Sequence, residues 1–310
     1  MTTPQEVLQA IDRLRVFQRD DRRAVHKPLL LLLALARMTE QQPRLARYDD
    51  IEAPLKHLLA EFGPTSAVKT PHNPYWHLQS DGLWVVDGPP ELKARKMGST
   101  PTKGELREPT VLAGFTPEVD AALRHDPILR SEMAHRLLDE FFPATLHEDI
   151  LAAAGLDLHT LAAPLAVHEP TVDLVRRKRR DPGFRERVLR AYEHRCCVCG
   201  FDLRMGHSTV GVEAAHIKWH NYLGPDIEAN GLALCALHHK VFDHGGFTIE
   251  PVEQRVVCSE QIIMGDQARH LLLGHHGQPI RRPQRAEYMP KAEFLGWHEK
   301  EVFKGPGRAW

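Results

Sequence analysis

The chain opens with apolar residues on one helical stripe, Val7, Ile11 and Leu14, behind a clear start signal. Thr3 can cap, Pro4 suits the first helical position and Glu6 closes a capping box. From Leu29 to Leu33 the pattern becomes apolar all round. A helix over about 27–38 without a polar face belongs at the centre of a domain. A third helix is predicted over about 51–62, and others near 117–125, 127–141 and 146–154. Residues 73–86, NPYWHLQSDGLWVV, change character. Aromatic and β-branched residues around an Asp-Gly pair predict a short hairpin. Residues 88–110, rich in Gly, Pro, Lys and Thr, read as a long loop. The first half of the chain is therefore mostly helical with a small β-hairpin or sheet.

Residues 156–175 are mixed and contain Pro, and they lead into Arg176-Arg177-Lys178-Arg179-Arg180. This basic run reads as an interdomain linker, either a solvated cluster or a contact for phosphate. Asp181-Pro182 then starts a helix that runs to about Tyr192. A hairpin of about Thr209 to Glu213 with a strand near residue 230 follows, and then a helix over about 232–242. The fold class is α+β, divided into a domain over 1–158, a basic linker over 159–181 and a second domain over 182–310.

A length of 310 residues suits two domains of ordinary size. With 42% hydrophobic and 26% charged residues, the composition is that of a soluble globular protein. The longest apolar run, Pro28 to Ala36, falls far short of the ~20 residues of a membrane span. The N-terminus lacks the basic start of a signal peptide, so the expected location is cytoplasmic and no membrane partner is expected. Net charge is −1. Residues 1–169 hold 19 Lys and Arg against 24 Asp and Glu, and residues 170–310 hold 21 against 17. Neither half is a basic blanket, so binding to nucleic acid would depend on local clusters and on reading a particular feature.

Four of the five cysteines lie within Cys196 to Cys235, which points to metal rather than to disulfides. Cys197 and Cys258 are left to pack as small apolar residues. Cys196 and Cys199 form one pair two residues apart, and Cys235 and His238 form another. Four soft donors in two pairs predict a closed tetrahedral site for structural Zn2+. The motif is too short to build its own core, and a metal closing the loop from Cys199 to Cys235 would hold a hairpin against a helix.

Around these pairs lie His216, Asn230 and His239, and with them residues 183–260 resemble the HNH (ββα-metal) nucleases. The resemblance implies catalysis of phosphodiester hydrolysis by all three. His216, at a strand end, would act as general base on water. His239, with Asn230, would hold a catalytic divalent metal of the Mg2+ or Mn2+ class. Asn230 would also fix the hairpin loop and orient His216 by hydrogen bonding. Many family members carry Asp just before the first His. Here that position is Ala215, and Asn230, Glu213 or a water would fill the gap.

In the first domain, Arg22, Arg23, His26 and Lys27 gather at the start of the Leu-rich helix, where backbone amides attract anions. Pro74, Tyr75 and Trp76 form a rigid apolar surface beside His77. Lys93, Arg95, Lys96 and Lys103 follow in a loop that could cross a DNA backbone. Residues 1–155, with RAVHKPLLLLLAL and NPYWHLQSDGLW, resemble the sulfur-binding domain of the McrA-like type IV restriction endonucleases, which recognise phosphorothioated DNA. The resemblance implies a shallow apolar cavity for sulfur, with Arg23 and His26 from the first segment and Pro74, Tyr75, Trp76 and His77 from the second. The family often has Tyr before this Pro, where this chain has Asn73. An apolar cavity favours the larger, less hydrated sulfur and penalises an unpaired phosphate oxygen.

The expected function is a modification-dependent endonuclease acting on phosphorothioated double-stranded DNA near the mark, as a homodimer if both strands are cut. A rival reading is an HNH restriction enzyme that reads another modification such as a methylated base, for which Tyr75 and Trp76 would cage a flipped base. Another is a DNA-binding regulator with an inactive nuclease fold, against which the intact His216, Asn230 and His239 argue.

Overall fold

The computed structural model describes residues 3–19, 22–95, 99–156 and 181–309. The chain divides into two compact units, Met1–Arg176 and Arg177–Trp310. The basic run Arg176 to Arg180, Lys96 and the side chain of Lys93 lie outside the described residues. No helix of the described residues is long and apolar enough to cross a membrane.

In the first unit the opening signal is used as read. The Thr3 hydroxyl accepts from the Glu6 N–H, and the Glu6 carboxylate accepts from the Thr3 N–H, ahead of the helix Pro4–Asp12. The Leu-rich helix, His26–Thr39, buries every residue from Pro28 to Ala36. It can do so because helices surround it: Tyr48–Phe62, His72–His77, Pro127–Phe141 and His147–Ala154 all pack on it. A helix apolar all round is stable in water only at such a centre.

The predicted hairpin over 73–86 is not there. Residues His72–His77 are helical, Leu78–Asp81 add a 3-10 turn, and Gly82 at φ 75° ends it. Only then does a strand begin, Trp84–Asp87, and its partner is Leu112–Phe115. That partner is the middle of a three-stranded antiparallel sheet whose other edge is Leu45–Arg47. The aromatic residues suggested a strand, but tertiary packing overrides their propensity. The Tyr75 ring lies 5.3 Å from Tyr48 and 6.4 Å from Trp84, and its hydroxyl donates to Ala46 O. Asp81 does not serve as a hairpin turn. Its carboxylate accepts from Arg15 N–H at 2.9 Å and from Lys27 Nζ at 2.5 Å. The predicted loop that follows contains two one-turn helices, Pro90–Lys93 and Lys103–Leu106.

The second unit begins with the helix Phe184–Ala191. Strand Val212–His216 pairs antiparallel with Gly231–Cys235, from Val212 opposite Cys235 to His216 opposite Gly231. The helix predicted from 232 starts at Ala236, because the fully buried run Gly231–Cys235 is the second strand. Phe184, Val188, Ala215, Leu232, Leu234, Phe242 and Leu295 share one core. Cys197 and Cys258 are buried in the same core. The last helix, Ala292–Glu301, braces the helix Ala236–Asp243 through His298. That ring stacks on Phe242 at 3.6 Å, and its Nε2 donates to Phe242 O at 3.0 Å.

The Lys27–Asp81 pair is nearly buried, at 11% and 1% side-chain exposure. Removing one member of such a pair strands the other, at a cost of about 3–5 kcal/mol. Asp81→Ala is expected to lower the urea unfolding free energy of the first unit by that order. A loss below about 1 kcal/mol would class the pair with exposed ion pairs.

Candidate active site and metal centre

The two donor pairs meet. Cys196 and Cys199 sit in a tight turn in which Gly200 N–H donates to Cys196 O and Cys196 N–H donates to Phe201 O. Cys235 ends its strand and caps the following helix, so His238 projects from the first turn. The ligand atoms of Cys196, Cys199, Cys235 and His238 all lie within 4.8 Å of one another. Cys199 Sγ is 4.0 Å from Cys235 Sγ, and His238 Nδ1 is 3.7 Å from Cys196 Sγ and 3.1 Å from Cys235 Sγ. Tetrahedral zinc with Zn–S of about 2.3 Å and Zn–N of about 2.0 Å sets donors roughly 3.5–3.8 Å apart, so the set fits. Leu271 O accepts from His238 Nε2 at 2.9 Å. That bond assigns the proton to Nε2 and turns the Nδ1 lone pair toward the thiols, a support usual for metal-bound histidine.

Beside this cluster the HNH triplet divides into two places. His216 ends the first hairpin strand and stacks on Phe184 with ring centroids 4.0 Å apart. Its Nε2 lies 2.8 Å from Asp226 Oδ1. His220 Nε2 stands 3.9 Å from the other oxygen of the same carboxylate. Asp226 escaped the sequence reading. The only available signal was an acid after the Gly-Pro turn, inside the loop that joins the strands of His216 and Asn230.

Asn230 is wholly buried. Its Oδ1 accepts from Lys218 N–H at 2.9 Å, and its Nδ2 donates to Lys218 O and Pro225 O, both at 3.0 Å. The side chain thus pins both limbs of the 217–230 loop. Gly224 makes the close approach possible, since a Cβ there would fall 1.8 Å from Lys218 O. The expectation that Asn230 is a metal ligand is corrected by this geometry: its amide is buried and engaged by the backbone. Asn230 meets the neighbourhood of His216 twice, through Pro225 O beside Asp226 and through its own carbonyl, which accepts from Ile217 N–H at 2.9 Å.

His239 faces the hairpin. Its Nδ1 lies 2.6 Å from Glu213 Oε2, and its Nε2 lies 3.2 Å from Asp243 Oδ2. Asp243 is buried and also accepts from Trp219 Nε1 at 3.1 Å. Burial opposes a charge on the ring, but Asp243 and Glu213 outweigh it and push the pKa up to about 9. The ring therefore sits in a negative pocket. Asp243 fixes one nitrogen, and the half-exposed Glu213 is able to share a cation with the other. Ala215 is buried and offers no ligand, so Glu213 is the carboxylate the hairpin presents. A nitrogen and a carboxylate suit a hard divalent ion that keeps positions open for phosphate.

In the first unit several expected DNA contacts are engaged by the fold. Arg23 donates to Glu140 O and Oε1 at 3.1 and 2.6 Å, and its guanidinium lies 4.2 Å over the Phe141 ring. It closes the carboxyl end of helix Pro127–Phe141. His26 Nε2 lies 3.0 Å from Ala67 O, and burial pushes its pKa down. Pro74, Tyr75 and Trp76 are all buried; Tyr75, at 0% exposure, cannot line a surface cavity or cage a flipped base, whereas Trp76 keeps 8%. Trp76, His77 and Arg95 do come together. With Gln79, Ser80, Val86 and Leu92 they line a cleft of about 230 Å3. His77 Nε2 lies 2.8 Å from Thr100 Oγ1, and Arg95 pairs with Glu105. Trp76, Val86 and Leu92 give the cleft an apolar side, and His77, Gln79, Ser80 and Arg95 give it a polar one.

Comparison with known proteins gives two family matches. Residues 4–159 match the ScoMcrA-like DNA sulfur-binding domain, and residues 196–250 match an HNH endonuclease. No curated protein matches the chain. Among solved structures, the sulfur-binding domain of ScoMcrA complexed with phosphorothioated DNA is 28% identical, over 50% of this chain and 97% of that one, with a TM-score of 0.43. The corresponding SprMcrA complex is 18% identical, over 50% and 94%, with a TM-score of 0.40. The type IV phosphorothioation-dependent restriction endonuclease ScoMcrA is 26% identical, over 49% of this chain and 27% of its own length, with a TM-score of 0.40. The match thus spans about a quarter of that longer enzyme.

The four-donor cluster leads to a test by metal removal. Purified protein is expected to carry about one zinc per chain by elemental analysis. Cys235→Ser or strong chelation should unfold the second unit rather than only slow it, because structural zinc contributes folding free energy directly. A zinc-free chain with an unchanged melting profile would overturn this.

Proposed function

The chain belongs to the ScoMcrA-like DNA sulfur-binding domain family, and from that premise we propose that it is a modification-dependent DNA endonuclease. The first unit binds phosphorothioated duplex, and the second hydrolyses phosphodiester bonds near the mark. The observation that carries this reading is the joining, in one chain, of a sulfur-binding domain over 4–159 to an HNH domain over 196–250. The hairpin and helix of the second unit support it, since they bring Glu213 to His239 and end a strand on His216.

In this reading His216 accepts a proton from water, whose oxygen attacks phosphorus. Glu213 and His239 would hold a hard divalent cation of the Mg2+ or Mn2+ class, which when bound offsets charge on the phosphate and on the departing 3′-oxygen. Asp243 keeps His239 oriented for that task, and Asn230 keeps the loop in shape. The Cys196, Cys199, Cys235 and His238 cluster holds structural zinc. Two copies acting together would cut both strands, and the cytoplasm is where such an enzyme meets DNA.

For recognition, the cleft of Trp76, His77 and Arg95 is the candidate sulfur subsite. Its apolar side, made by Trp76, Val86 and Leu92, favours sulfur over oxygen, whose burial without partners is costly. Tyr75, locked against Tyr48 and Trp84, weighs against the methylated-base alternative. The net-negative composition of residues 1–169 holds down affinity for unmodified DNA.

Two measurements test the proposal. The full chain should bind a duplex with one phosphorothioate about a hundredfold more tightly than its oxygen counterpart, a difference of about 2.8 kcal/mol. Trp76→Ala or His77→Ala should narrow that gap. Equal affinities for the two duplexes would sink the recognition reading. In single-turnover cleavage, His216→Ala should lose roughly 10²–10⁴ in rate while DNA affinity stays as in the parent. Near-normal cutting by this variant would remove His216 from the catalytic role.

A further inference from the structure

Asp226 lies outside the HNH triplet, yet both its carboxylate oxygens and its backbone carbonyl are engaged. Its Oδ1 is 2.8 Å from His216 Nε2, with side-chain exposures of 10% for Asp226 and 16% for His216. Its Oδ2 accepts from Asp181 N–H at 2.8 Å, and its backbone carbonyl accepts from the Arg187 guanidinium at 2.8 Å. The preceding carbonyl, Pro225 O, accepts from Asn230. Arg187 is itself paired with Asp181 and Glu228, and His220 stands 3.9 Å from Asp226 Oδ2. The aspartate therefore reaches His216 already oriented, from a loop tied down at several points.

We infer that Asp226 is a positioning residue that sets the tautomer of His216, so that the imidazole carries its proton on Nε2 and takes the proton of the attacking water on Nδ1. This rests on the nuclease reading above and adds to it which nitrogen acts. An ionised carboxylate can only accept a hydrogen bond, and a neutral imidazole has one N–H. The nitrogen facing Asp226 must then be the donor. Burial works against the ionised form of Asp226, but hydrogen bonds from Asp181 N–H and His216 bring its pKa below the usual value. Phe184 sets the plane of the ring by stacking, and Asp226 sets which edge faces it. In the step itself, the water oxygen bonds to phosphorus as the bond to the 3′-oxygen breaks. The water proton goes to Nδ1, and the departing oxygen takes a proton from solvent. The relation is that of nucleophile, base and orienting acid, with water in place of a side-chain nucleophile.

The experiment uses the full chain. Imidazole 15N–1H spectra, at a pH where His216 is neutral, report its tautomer, with His216→Ala giving the assignment. Wild type is expected to show Nε2–H. Asp226→Asn offers an amide donor, should move the proton to Nδ1, and should lower single-turnover cleavage of phosphorothioated duplex by about 10²–10⁴. DNA affinity, zinc content and melting temperature should stay as in wild type, which a merely structural role would not permit. A wild-type His216 protonated on Nδ1, or an Asp226→Asn variant that cleaves at the wild-type rate, overturns the inference. The wild-type spectrum decides even if Asp226→Asn fails to fold. It is also read without cleavage, so a wild-type chain that cuts no duplex while showing Nε2–H supports the positioning role and counts against the nuclease reading alone.

Discussion

Cys235 is the point on which the second unit turns. It is the last residue of a hairpin strand, the cap of the following helix and one of four converging donors. Closing that cluster fixes the angle between hairpin and helix. His238 and His239 are neighbours on the helix, so their side chains leave it about 100° apart. One then points into the thiol cluster and the other across to Glu213. Soft and hard donor sets are thus built back to back from consecutive residues. Neither could be moved without moving the other.

The same economy governs the loop between the strands. Asn230 holds Lys218 and Pro225 through its amide, Pro225 precedes Asp226, and Asp226 faces His216. A buried side-chain amide is costly unless all its groups are paired, so such a clamp is either complete or destabilising. Here the bonds to backbone on both limbs give the loop one conformation. The residue that carries the motif's central letter touches the loop backbone rather than the His216 ring.

The first unit follows a different logic. Two of its cations near the Leu-rich helix are paired internally: Arg23 with Glu140, and Lys27 with Asp81. Exposed cations would have raised affinity for any duplex, whereas paired ones leave discrimination to local shape. The cleft of Trp76, His77 and Arg95 is where apolar surface and polar rim coincide. Its walls come from a short helix, a strand and the chain after them, segments that only a packed domain brings together.

Much was legible in the chain. The Thr3 cap, the all-apolar helix around Leu31 and the helices over 117–154 follow from local rules and from a hydrophobic period that needs no partner to be read. The two donor pairs were legible because a metal site demands particular atoms at particular spacings, and the triplet His216, Asn230 and His239 was legible through the HNH resemblance. Residues 73–81 were misread because aromatic residues suit a strand and a buried helix alike, and only the Tyr48 and Trp84 rings decided between them for Tyr75. Asn230 was read as fixing the hairpin loop, but its partners, and the contacts of Arg23 and Asp226, were beyond the sequence. A cation, an amide or a carboxylate takes its meaning from what lies within hydrogen-bonding reach. For these three the partners Glu140, Lys218 and His216 lie 117, 12 and 10 residues away in the chain, and folding alone brings them together.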